Sequence, residues 1–480
     1  MIDLRDDKPL WGLGEVLRVS WPASLSMLNG TILQFVDALM VSSRGPSALA
    51  AQFIGGISAF VPISLALGML TVVNTYVSQN LGAGRPHRCG RYAWAGLAVA
   101  AGYCLLLMPP LLALAGRLFA LFGHGTDITA METMYFRYMM SAAVLFLGSR
   151  VLEQFFFGIH RPGIVLIATI LCNVANVGLN YVLIFGKLGF PALGLQGAAI
   201  GTVASTVLRF GLLMGVFLSG RLHARFATRA VRTTRWSHCR ELVRVGWPAG
   251  VRFSNDTLTW TLFNAALVGR FGRAHLEAST IAARYMSLSF MPAVGVGIAT
   301  TALVGRHIGA GRADLARRRA HAAVAAAMAY MGLCGLAFLI FRHEMVNLFV
   351  TIPDAANMTA EQVAARRGLI VAIGGRIMVC AAVFQLFDAL NIVFVGALRG
   401  AGDTFWPMVA TAALSWSVTV GGGIAMVHFL PQLTSIGPWL AASAYVVVLG
   451  LLMAWRFESG AWRKIDLLGR RARLDEPGGC

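Results

Sequence analysis

An aspartate, Asp37, interrupts the apolar run LQFVDALMV at residues 33–41, and Asp256 and Asp388 sit in comparable surroundings. An ionisable group at the centre of a membrane-spanning helix costs roughly 2.5–3.5 kcal/mol on insertion scales, which makes it a functional candidate by default. Asp37 lies five residues from the expected outer end of its span, about 8 Å at 1.5 Å per residue. Asn176 and Asn180 are spaced i, i+4 on a later span and share one face, ten and six residues from its outer end. Thr202 is eight residues into the next span, counted from the outside. Four polar side chains from three helices thus fall at similar depth. One carboxylate with amide and hydroxyl oxygens suits a small cation or a proton. An apolar surround favours the protonated carboxyl, whereas a bound cation favours the carboxylate. Asp37 can therefore exchange H+ or Na+ against a conformational change. The competing reading has Asp37 snorkelling to the nearby interface or capping the packing.

The other two acids form a second candidate site. Asp256 is eleven residues from the inner end of its span and Asp388 nine from the inner end of its own, so the two can meet. A structural salt bridge competes, since Arg252 precedes Asp256 by one helical turn. Arg150 and Glu153, spaced i, i+3, are expected to pair, with Gln154 alongside, as internal structure or as a gate. Gln34, Tyr138 and Phe263 are the candidates for a substrate cleft. With Phe146 and Phe155, the aromatic ones offer π-faces that attract cations; packing or lipid contact is the alternative for each.

The composition says which elements position these residues. The chain has 480 residues, 57% of them hydrophobic and only 13% charged, with a mean hydropathy of +0.69. Soluble domains carry about a quarter charged residues, and a helix needs roughly 20 apolar residues to span a bilayer. The apolar blocks predict an all-α integral membrane protein with twelve spans. They are 17–42, 50–80, 91–115, 131–157, 163–186, 194–219, 245–270, 278–305, 319–341, 368–397, 404–428 and 437–457. The polar start MIDLRDDKPLWGLGEVLR leads straight into the first span and is not a cleavable signal.

Arginines concentrate in 81–90, 158–162, 220–244, 306–318 and 398–403, which the positive-inside bias assigns to the cytoplasm together with both termini. The formal net charge of +19 is then mainly a topology signal. Lacking an aromatic platform or a motif, the basic 220–244 linker is not read as a nucleic-acid site; anionic lipid headgroups are its expected contact. The scattered cysteines, without a CxxC pair, read as packing residues. The three lysines, Lys8, Lys187 and Lys464, fall outside any GxxxxGK[ST] context, so the chain is not an ATP motor, and no ATPase subunit is evident. No HExxH or GxSxG occurs, so an enzyme is not expected. No cofactor is implied beyond the coupling ion, and a monomer is the default.

The chain also repeats itself. RVSWPA at 18–23 matches RVGWPA at 244–249, LNGT at 28–31 faces SNDT at 254–257, and LGAGR at 81–85 matches IGAGR at 308–312. The offset holds at 226 or 227. This is a duplication with its seam in 220–244. Six spans per half enter from the same side, so the lobes are 17–219 and 245–457, between a segment 1–16 and a tail 458–480. Such parallel repeats are related by an axis along the membrane normal, with a substrate cavity between them and alternating access by rocking. The GAGR stretches read as tight turns that glycine permits.

Several stretches resemble the multidrug and toxin extrusion (MATE) family, in its bacterial NorM-like branch. They are WPASLSMLNGTILQFVDALMV in the first span, SQNLGAGR after the second, NVANVGLNYVLIFGKLGFPALGLQGAAIGT (173–202) and FQLFDALNIVFVGALRGAGDT (384–404). The resemblance implies two six-helix lobes and an efflux antiporter that exports lipophilic organic cations in exchange for H+ or Na+ across the bacterial inner membrane. It implies cation coupling at Asp37 with the polar residues of spans five and six. Some relatives carry an acid where Asn180 stands. It also links the positions of Asp256, a glutamate in relatives, and Asp388 to Na+ or H+ binding. Pro22 becomes a hinge tied to Asp37, since an interior proline removes a hydrogen bond and kinks a helix; a static kink or a first-turn proline is the alternative. Within the wider superfamily, a lipid-linked oligosaccharide flippase is the competing function, and Arg284 and Arg376 inside spans are its best support.

Overall fold

The computed structural model describes residues 12–230, 234–350 and 358–469. Parts of the expected terminal segments (1–11 and 470–480) and of the linker (231–233) lie outside the described residues. Every regular element described is helical.

Ten helices are long and apolar enough to cross a bilayer. An eleventh span comes from Thr126–Ser141 and Ala143–Gly158, which meet at 46°. The twelfth is Trp236–Leu262, continued by the π-helical Phe263–Val268. It is too polar for that criterion because Arg252, Asn255 and Asp256 sit at its centre. One of its faces is packed closely against span two. Gly246 and Gly250 lie so close to span two that a Cβ would come within 2.6 Å of the Met69 carbonyl and 2.4 Å of the Leu65 carbonyl. Chain order therefore runs Leu13–Ser42, Pro46–Gly82, Cys89–Ala120, the bent fourth span, Pro162–Phe185 and Leu195–Phe217 in the first half. The second half runs Trp236–Leu262, Arg273–Gly309, Ala313–Ile340, Ala360–Ala401, Phe405–Phe429 and Ile436–Glu458.

Several helices overrun the apolar blocks, two of them where a polar group holds the extra turns. Span seven starts at Trp236 rather than 245, with Glu241 accepting from Tyr92 OH at 2.8 Å. Span ten starts at Ala360 rather than 368, where Thr359 and Gln362 form a reciprocal capping box.

Buried apolar residues gather in two large clusters. One draws on residues 23–242 with Ile298, the other on 263–462 with Val16 and Val19. Span one thus lends its first turns to the opposite half. The six cysteines among the described residues are free, and five are buried.

The arginine-rich connections converge on one end of the molecule. Glu15, at the start of span one, meets Arg319 at 2.7 Å and Arg306 at 3.9 Å; Glu458, at the end of span twelve, meets Arg317 and His321. Both GAGR turns lie here and are built alike. Gly84 and Gly311 take left-handed φ of 70° and 76°, which only glycine adopts freely. Arg85 N–H donates to the Asn80 carbonyl at 2.9 Å and Arg312 N–H to the His307 carbonyl at 2.8 Å.

Candidate functional site

Span one is stitched to span five at three levels. Ser26 Oγ meets Thr169 Oγ1 at 3.1 Å, Asn173 Nδ2 donates to the Asn29 carbonyl at 3.0 Å, and Asn180 Nδ2 donates to Asp37 Oδ1 at 2.8 Å. Both helices start from the basic end, and the first and last partners are eleven residues apart on each (26 to 37, 169 to 180), which keeps the pairs in register. Asn180 Nδ2 also donates to Asn176 Oδ1 at 3.0 Å, and Asn176 Nδ2 to Ser205 Oγ at 3.1 Å. A polar chain therefore runs Asp37–Asn180–Asn176–Ser205 across three helices. Asn176 and Asn180 are buried and Asp37 is half-buried. The equal depth counted from the sequence corresponds to real contact for Asp37, Asn176 and Asn180.

Thr202 differs from the expectation. Its hydroxyl donates to the Ala198 carbonyl at 2.9 Å, the back-bond that helical threonine commonly makes, and does not reach Asp37. Ser205 makes the contact expected of Thr202 and donates in turn to the Thr202 carbonyl at 2.9 Å. Ser205 was readable only as one more hydroxyl on that helix, three residues on. Gly201 is what lets span six approach: a Cβ there would lie 2.1 Å from Asn180 Oδ1. That oxygen is buried without a hydrogen-bond partner among the described residues, as expected of an acceptor reserved for a donor or a cation. Those residues hold no group of three or more His, Cys, Asp or Glu suited to a metal, so a Na+ ion here would rely on Asp37 with neutral oxygens.

Pro22 is buried nine residues inside the helix that starts at Leu13, so it is an interior proline and not a first-turn one. Close by, Ser24 Oγ donates to the Pro292 carbonyl of span eight at 2.7 Å, and Gly295 packs against the Ser24 backbone. The proline segment thus lies between span five of its own half and span eight of the other.

In the second half, the charges of Arg252 and Asp256 both act on Asp388, and all three act on Tyr445. Arg252 Nη2 lies 4.0 Å from Asp256 Oδ2, a long ion pair, while its Nε donates to Thr411 Oγ1 at 3.0 Å. The guanidinium is shared between span eleven and the acid. Asn391 Nδ2 donates to Asp388 Oδ1 at 3.4 Å. Next to Asp256, Asn255 donates to Ser415 Oγ and accepts from Trp416 Nε1, both at 2.9 Å, where span eleven turns π-helical. π-bulges are often found at functional sites.

The cleft candidates divide. Gln34 is exposed and Tyr138 is half-buried, accepting from Gln196 Nε2 at 2.9 Å. Phe263 is not available to a cleft. It is fully buried, edge-on to Trp260 and Trp439 at 5.4 and 5.2 Å, because the π segment turns it into the core. Phe155 is likewise buried, against Phe156, Phe217 and Phe226. Phe146 lies under the Arg150 guanidinium at 5.1 Å. Arg150 pairs with Glu153 at 2.8 Å, and Arg209 joins them at 3.6 Å, a partner the i, i+3 spacing did not show.

The MatE family model matches residues 22–182 and 257–421, once in each half. The chain belongs to the MatE family. It is a transporter and not an enzyme. Among curated relatives, a probable multidrug resistance protein NorM of Mesorhizobium japonicum is 29% identical over 450 residues, 92% of either chain. The multidrug resistance protein NorM of Burkholderia vietnamiensis is 30% identical over 451 residues, 92% of this transporter and 93% of the relative. Among solved structures, an outward-facing multidrug resistance MATE family transporter superposes with a TM-score of 0.83 at 19% identity, over 94% of this chain and 97% of that one. A MOP superfamily transporter from Pyrococcus furiosus gives 0.84 at 18%, with the same coverage. At those identities the structures show the fold alone: two six-helix lobes.

Proposed function

We propose that the transporter is a multidrug efflux antiporter that exports lipophilic organic cations in exchange for H+ or Na+. The observation that carries this is the bonding of Asp37 to Asn180, and through it to Asn176 and Ser205. Loading Asp37 with a proton or cation removes the charge that Asn180 stabilises, so the pairing of span one with span five weakens or strengthens with occupancy. Pro22 gives span one a place to bend, and the Ser24–Pro292 bond passes the bend to span eight. Lobes 17–219 and 245–457 then rock about the cavity between them. Asp256 and Asp388 serve as a second ionisable site. The NorM names of the relatives support drug export. The basic end, with both termini, is the cytoplasmic face of the bacterial inner membrane; the working unit is a monomer without an ATPase subunit.

Dye efflux from energised vesicles, with the Na+ and pH gradients collapsed separately, tests this reading. Loss of efflux with one gradient names the ion; efflux indifferent to both refutes antiport. The flippase reading retains one observation, the exposure of Arg284 and Arg376 on spans eight and ten, which would suit a pyrophosphate-lipid. Loss of an envelope polymer on gene deletion, with drug tolerance unchanged, would favour it.

A further inference from the structure

We infer that the groove between the outer ends of spans three and four holds the phosphodiester headgroup of a phospholipid, gripped by Arg137 and His124. The groove, of about 500 Å3, lies at the end remote from the basic connections and is lined by Gly116 and Ala120 of span three with His124, Thr126, Thr133 and Arg137. Arg137 runs against the charge bias of the molecule, an arginine in the outer half of a span. It is exposed and has no hydrogen-bond or ion-pair partner among the described residues. A cation left unpaired at membrane depth is expensive, so its partner must come from the surroundings. Helical side chains lean toward their own N-terminus, which for span four is the outer end. The guanidinium is thereby carried up to headgroup level, where it lines the groove with Thr133, one turn away.

His124 is a built part of this site. Its Nδ1 is tied at 2.9 Å to Glu132, a fully buried carboxylate, and its carbonyl accepts from Thr129 Oγ1 at 3.3 Å. The ring is thus fixed with Nε2 left for a ligand. The other Glu132 oxygen has no partner among the described residues, so this pairing is what compensates the carboxylate there. A planar guanidinium matches two phosphate oxygens at once, with an imidazole and the Thr126 and Thr133 hydroxyls in reach of the rest. Gly116, Ala120, Ala130 and Met134 form an apolar ridge along the groove wall that offers a track for acyl chains. Charge complementarity above and an apolar ridge alongside point to a lipid rather than a free anion.

The test uses the full chain, purified in detergent and delipidated, with phosphatidylglycerol as the probe and bound lipid read by native mass spectrometry. Wild type should retain one lipid that inorganic phosphate at equal concentration does not displace. Arg137→Gln should lower occupancy at least about tenfold, as loss of a charged hydrogen-bond donor implies, with partial recovery in Arg137→Lys. Thr133→Val leaves the charges in place and should lower occupancy several-fold, which keeps the test decisive if Arg137→Gln folds poorly. Wild-type occupancy in Arg137→Gln, or in Thr133→Val should the former not fold, would overturn the assignment. So would displacement by inorganic phosphate, which would mark a plain anion site.

Discussion

Asn180 donates through one nitrogen to Asp37 Oδ1 at 2.8 Å and to Asn176 Oδ1 at 3.0 Å. One amide thereby joins the first-span carboxylate to the polar interior of the first half. Asn180→Leu removes both bonds. A hydrogen bond to a charged group contributes about 1.5–3 kcal/mol, so ion-coupled efflux should fall by about ten- to a hundredfold at unchanged expression. Efflux assays on matched protein levels decide it; wild-type efflux would mean that Asn180 only packs. Gly201→Ala should give a milder version, since its Cβ displaces the same amide.

The basic end carries a pseudo-symmetric lock. A Cβ on Gly82 would lie 1.8 Å from the Arg306 carbonyl, and one on Gly309 would lie 2.0 Å from the Gln79 carbonyl. Gly82 with Gly309, and Gln79 with Arg306, are equivalent positions of the repeat at the offset of 227. Thr75 Oγ1 and Gln79 Nε2 add bonds of 2.9 Å to the Arg399 and Gly400 carbonyls. Gly309→Ala should destabilise this closed arrangement by about 1–3 kcal/mol. The measurement is thiol labelling of a Ser78→Cys reporter, buried here, which should accelerate in the Gly309→Ala background.

Asp388 lies within electrostatic reach of Asp256 and of Arg252, the ion-pair partner of Asp256. Asp256→Asn and Asp388→Asn should therefore be non-additive: the double variant should lose little more efflux than the worse single one, with a coupling of about 0.5–3 kcal/mol. Additive losses would make them independent.

His160, in the connection after span four, has both ring nitrogens buried without a partner among the described residues. Burial, then the charge of Arg306 and that of His307, push its pKa down from 6.5 to about 3. The folded state therefore holds fewer protons there than the unfolded chain, and the stability tied to neutral His160 falls as pH drops below about 6.5. The loss is about 1.4 kcal/mol per pH unit until about pH 3. His160 has a φ of 57°, which asparagine tolerates. Melting curves from pH 7 to 5 should show a smaller acid loss for His160→Asn than for wild type.

Much of this was legible in the sequence. The twelve spans, the repeat and the basic connections follow from hydrophobic length and charge, which depend on the solvent more than on packing. The site was partly legible because i, i+4 spacing fixes a face and residue counting fixes depth, which sufficed for Asp37, Asn176 and Asn180. Rotamer choice was not: Thr202 satisfies its own helix, and Ser205 takes the contact. Phe263 failed for a related reason, since a π segment shifts the phase of its helix and turns an expected cleft residue into the core. Arg209 was missed because its partner Glu153 lies on another helix, where no spacing rule applies.

In the proposed mechanism Asp37 carries the coupling ion. Purified transporter in weakly buffered detergent, mixed with a lipophilic organic cation, should release H+ or Na+ in proportion to protein. Asp37→Asn should release none of that fraction, and Asp256→Asn should keep it. Equal release from Asp37→Asn and wild type would mean that the coupling ion binds elsewhere.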